Sequence, residues 1–139
     1  MPQTLNPNHP GTVTLDAETG QELRQLLTGI HTHSQAQYVA LLDQSGFLIC
    51  QVGESHGDPT IVAALSAAAF SATQGLADHL GEMGFGGMYH PGGEKSLYMV
   101  PITQRFMILA LFGKATSISK VREGIRRAIA PMGQLLSRV

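Results

Sequence analysis

The sequence predicts an α/β fold of the α+β kind: a five-stranded antiparallel sheet with helices packed on it, in the order α-β-β-α-β-β-β-α. Three observations carry that expectation. Short runs rich in β-branched, aromatic and leucine residues recur between turn-forming clusters. Two segments, near the start and at the end of the chain, repeat leucine and isoleucine at helical spacing. No internal repeat or linker divides the 139 residues, a length suited to one domain with its own core.

Residues 1–15, with Pro2, Pro7, Pro10 and Gly11, read as a flexible tail before a domain spanning 16–139. The first helix starts at Asp16 or, by the Thr19-x-x-Glu22 capping-box signature, a few residues later. Leu23, Leu26, Leu27 and Ile30 give it an apolar stripe, and Gly29 weakens its end. The runs Tyr38–Leu42 and Phe47–Val52 flank Asp43-Gln44-Ser45-Gly46 and read as a hairpin.

A loop from Gly53 leads to Asp58-Pro59, an N-cap residue followed by proline at the first helical position. That helix runs to about Leu80. Strands are expected at about 85–90, 96–102 and 106–112, as a meander. The last helix, about 117–138, has an apolar face of Ile118, Val121, Ile125, Ile129, Met132 and Leu136, with Pro131 expected to kink it.

The helix at 59–80 faces two ways. Turning residues by about 100° each puts Ile61, Leu65, Ala69, Ala72, Leu76 and Leu80 on one stripe, expected to pack on the sheet. The other face carries Ala63, Ala67, Phe70, Ser71 and Gln74, and no charge occurs between Asp58 and Asp78. A helix without a charged face is buried on both sides or meets a partner. These five residues are therefore the expected interface with a second copy, extended by edge pairing of the strand near Met88 and Tyr89. On that assignment Phe70→Asp would yield a monomer.

Catalytic patterns do not emerge. The glycines at 84, 86, 87, 92 and 93 lack the Gly-Lys-Ser/Thr of a phosphate loop and read as turns. His31 and His33 are two apart and point to different helix faces. No nucleophile elbow occurs, and Cys50 sits mid-strand as a small hydrophobe. One cysteine allows neither an intramolecular disulfide nor a cysteine zinc site. No cofactor or metal is expected.

Net charge is −1, which argues against nucleic-acid binding. The charge is uneven: seven basic residues and one acid follow from Arg105 onward, while residues 1–104 hold two basic and nine acidic ones. Lys120, Arg126 and Arg127, with Arg138, make the last helix a candidate polar docking surface. No signal peptide or membrane insertion is expected, and the location read from this is cytoplasmic.

The stretch from Tyr38 to Ile49 around the Asp-x-x-Gly turn, and that from Ala68 to Gly81, resemble the roadblock/dynein light chain family, in particular its bacterial MglB-like members. The Leu109–Phe112 strand and the amphipathic last helix fit as well, so the resemblance covers about residues 16–138. It implies a homodimer in which the central helices pair and the third strands join two sheets. It also implies a non-catalytic scaffold or regulator of a small Ras-like GTPase, stimulating GTP hydrolysis in polarity or motility systems. Such regulators remodel the switch region of the GTPase, so no arginine is assigned as catalytic. The alternatives are a small-molecule sensor, with residues 84–93 and His90 lining its pocket, and a purely structural dimerisation module.

Overall fold

The structure, a computed structural model, describes residues 15–84 and 86–139. Apart from Leu15, the expected flexible tail lies outside the described residues. Helix α1 spans Ala17–Ser34, and Asp16 caps it by accepting a hydrogen bond from the Thr19 N–H at 2.6 Å. The helix thus starts at the earlier of its two candidate caps. It passes Gly29, which lies on its exposed side, because Leu23, Leu27 and Ile30 are buried on the other. Gln35 ends it in the left-handed conformation (φ 60°).

Strands β1 (Tyr38–Asp43) and β2 (Leu48–Gly53) form the hairpin. After helix α2 (Pro59–His79) come β3 (Met88–His90), β4 (Ser96–Pro101) and β5 (Phe106–Phe112), then helix α3 (Ile118–Leu136). The sheet order is β2-β1-β5-β4-β3, antiparallel throughout, so β1 and β5 lie inside it and β3 is an edge. The third strand is shorter than expected. Phe85 falls outside the described residues, and 86 and 87 are not in the strand.

Alternation along the strands divides the core into two layers. On one side Val39, Leu41, Ile108 and Ala110 meet Leu23, Leu27 and Ile30 of α1 and Val121, Ile125 and Met132 of α3. On the other, Tyr38, Ala40, Leu42, Met99, Met107 and Leu109 lie under Ala63 and Phe70 of α2. The apolar face read for α3 is the one it buries, and Pro131 stands inside a helix that continues to Leu136.

The two faces of α2 are the reverse of the expectation. Ala63, Ala67 and Phe70 are 1%, 4% and 3% exposed and pack on the sheet, whereas Ile61, Leu65, Leu76 and Leu80 are all more than half exposed. The physical reason is distance. Gly46, at φ +107°, ends the β1–β2 turn so near α2 that a Cβ there would lie 3.4 Å from the Ala64 Cα. Such an approach favours alanine and serine on the inner side, with Phe70 filling the wider space.

Candidate interaction surface

Two adjoining features of the α2 side of the molecule stand out. The first is the outer face of α2. Among the described residues the exposed large hydrophobic side chains are Ile61, Leu65, Leu76 and Leu80, with Met83 just after the helix and Tyr89 on β3. Between the leucines lie Ala68, Ala69 and Ala72, also exposed. The result is an uncharged stripe along five turns of helix, whose centre has no bulk beyond a methyl group. By length and composition α2 would also pass as a membrane span. Its Ala63, Ala67 and Phe70 are packed on the sheet instead, so it is one layer of a folded domain.

The second feature is the β3 edge. Thr73 of α2 donates its hydroxyl to the Met88 Sδ at 2.9 Å, and Tyr89 stacks on Phe112 of β5 with ring centroids 6.1 Å apart. The short strand is thereby held from both faces of the sheet. Its inner edge pairs Met88 with Met99 and His90 with Leu97, while its outer edge has no strand beside it among the described residues. Near it Met88, Leu97 and Leu111 are only partly buried, because α2 leaves this part of the sheet uncovered.

The residues expected at the interface therefore separate. Ala63, Ala67 and Phe70 belong to the core; Ser71 is exposed; Gln74 and Met88 are half-buried; Tyr89 is 40% exposed. Ile61, Leu65 and Leu76, which sequence reasoning gave to the sheet, form the exposed stripe. A signal for this was present. Asp58 and His79 fall on the same stripe, five turns from Leu76 and Ile61, and polar residues at both ends of a stripe mark its solvent side.

At the opposite end of the strands, the β1–β2 and β4–β5 turns are locked together. Asp43, buried, accepts from the Ser45 N–H at 2.7 Å and from the Arg105 Nε at 3.2 Å. Gln44 donates its N–H to the Arg105 carbonyl and its side-chain amide to Thr103. The buried charge is thus paired and hydrogen-bonded, as its environment requires. Beside these turns an open groove of about 520 Å³ is lined by Gln44, Phe70, Gln74, Met83, Gly84 and Thr103, among others. Gly84 and Gly86 contribute to it, but His90, expected beside them, does not.

On α3 the cations are partly neutralised. Glu123 accepts from Arg126 at 2.7 Å and from Arg127 at 3.3 Å, and the Arg126 hydrogen bonds hold its carboxyl down to about 2. Lys120 is exposed, and Arg122 lies over the Tyr98 ring at 5.4 Å. Burial pushes the Cys50 thiol up to about 12, so the one cysteine is held as an unreactive neutral group. No cluster of three or more metal-ligating side chains occurs among the described residues.

This topology, an antiparallel five-stranded sheet between α2 and the α1–α3 pair, defines a small α+β domain. The chain belongs to the Roadblock/LC7 domain family, whose profile matches residues 22–112. MglB of Myxococcus xanthus is 28% identical and superimposes with a TM-score of 0.83, over 91% of this chain and 95% of that one. The gliding protein MglB of Thermus thermophilus is 22% identical, with a TM-score of 0.83 over 97% and 100%. A Roadblock/LC7 domain of Streptomyces avermitilis is 13% identical, with a TM-score of 0.75 over 81% and 96%. Comparison by sequence with curated proteins returned no match.

Proposed function

We propose that the chain is a homodimeric regulator that binds a small Ras-like GTPase and stimulates its GTP hydrolysis, and that its α2 helices pair across a two-fold axis. The observation that carries the dimer is the uncharged outer face of α2. Its side chains gain most by meeting a surface of the same kind, and a two-fold axis supplies one without any second protein. The β3 edge lies beside it, so the same axis that pairs the helices can join two β3 strands and extend the sheet.

The GTPase partner rests on family membership and on likeness to MglB. Self-association has a parallel in an MglB, 22% identical, that is described with a tetrameric arrangement. Arg105, Arg126 and Arg127 are engaged with Asp43 and Glu123. Stimulation in this reading comes from holding the GTPase's own switch residues in place. A cytoplasmic location goes with that role.

Tagged protein is used to capture partners from extract of its own cells in the presence of GDP or a non-hydrolysable GTP analogue. The expected result is one Ras-like GTPase, retained more strongly with the analogue and hydrolysing GTP at least about tenfold faster with the dimer present. Capture with no change in hydrolysis reduces the role to a scaffold. No GTPase in either state contradicts the regulator reading.

A further inference from the structure

The exposed stripe of α2 reads nearly alike in both directions. Ile61 and Leu76 are equidistant from the Ala68–Ala69 bond, and so are Leu65 and Ala72. All six are exposed. Antiparallel pairing about a two-fold axis at that bond sets Ile61 against the partner's Leu76 and Leu65 against the partner's Ala72. The alanines fall at the crossing, where the two backbones come closest.

Carried one turn further at each end, the same register brings Asp58 level with the partner's His79. Both residues lie on the stripe: Asp58 is five turns before Leu76, and His79 five turns after Ile61. Both are exposed. Asp58 already caps its own helix, accepting from the Thr60 N–H at 2.9 Å through one oxygen, and a carboxylate has a second oxygen able to accept from a cation. A protonated imidazole here meets the positive N-terminal end of the partner's helix, which Asp58 offsets.

We propose that the α2 pair is clasped at both ends by reciprocal Asp58–His79 ion pairs, which fix its register and tighten self-association as pH falls through the imidazole titration. This rests on the homodimer reading above. The charged and titratable neighbours of His79 on its own chain are Asp78 and Glu82. Across the interface they are Asp58 and, in the loop before it, Glu54 and His56. The pair exists as an ion pair only when the imidazole is protonated and the carboxyl ionised.

Sedimentation equilibrium of the full chain at about pH 8 and about pH 5.5 tests this, with circular dichroism to verify each variant's fold. Two exposed pairs are expected to lower the dimer Kd by roughly three- to tenfold at the lower pH. Asp58→Asn, which keeps a good helix cap, removes most of that change. His79→Lys associates at pH 8 as tightly as the natural chain does at the lower pH, and adding Asp58→Asn cancels the gain. A dimer whose Kd is the same at both pH values, or whose pH response survives Asp58→Asn undiminished, overturns the clasp and leaves the homodimer standing. A monomer at both pH values overturns the homodimer reading and the clasp with it.

Discussion

Phe70 lies between α2 and the strands it crosses, 3% exposed among Leu42, Met99 and Met107. Truncation to alanine removes a large apolar side chain from a close-packed layer and leaves a cavity, costing about 3–5 kcal/mol. Phe70→Asp buries an unpaired carboxylate in the same place and is expected to abolish folding of the protomer. Urea denaturation followed by circular dichroism checks both. A well-folded, monomeric Phe70→Asp protein would restore this residue to the interface and contradict the burial found here.

Cys50 and Tyr38 make a second test at the residue scale. Burial raises the Cys50 thiol from 9.0 to about 12, and burial followed by the charge of Cys50 raises the Tyr38 phenol from 10.0 to about 12. Both shifts favour the neutral form in the folded chain. Their stabilising contribution is therefore complete below the unfolded values and lost as pH rises towards 12. Denaturant midpoints are expected to fall between about pH 9 and pH 12. A thiol reagent at about pH 8 should label Cys50 only as fast as the chain opens. Labelling at the rate of a free thiol would show that the strand is not covered as described.

Within α2, neighbouring residues serve opposite surfaces. Ala67 is 4% exposed against the sheet, and Ala68 is exposed on the stripe. Ala67→Glu is expected to lower the thermal midpoint by about 7–14 °C, a loss of about 2–4 kcal/mol for a domain of this size. Ala68→Glu is expected to leave the protomer folded while separating the dimer, since two added carboxylates meet at the crossing. Melting curves at low concentration and light scattering distinguish the two.

The strands were legible in the sequence because each is an apolar run bounded by turn chemistry, such as Asp43 and Gly46 around the first hairpin. Helix α3 was legible because charge marks its outer side. For α2, periodicity showed two faces of which neither carries charge between Asp58 and Asp78, so only Asp58 and His79 at its ends marked the outer one. Hydrophobicity favoured the Ile61–Leu65–Leu76 stripe for burial, whereas close approach of the helix selected the smaller residues. The Asp43–Arg105 bond joins residues 62 positions apart, and no local pattern announces it.

Across the whole molecule, the sheet is covered unequally. Helices α1 and α3 close one side, and α2 alone shelters the other, leaving Met88, Leu97 and Leu111 partly open beside the β3 edge. An uncharged helix face, a strand edge and incompletely covered apolar side chains thus meet on one side of one small domain. In the proposed dimer a second copy on the two-fold axis would cover all three.

The most direct test is the mass in solution of the natural chain and of Leu65→Lys, measured by light scattering at about 50 μM, a concentration that saturates even a low-micromolar dimer. The natural chain is expected at twice its 14.8 kDa and Leu65→Lys at the single value, with unchanged circular dichroism. A natural chain at 14.8 kDa, or a Leu65→Lys protein still at twice that mass, would contradict the assignment of α2's outer face as the dimer interface.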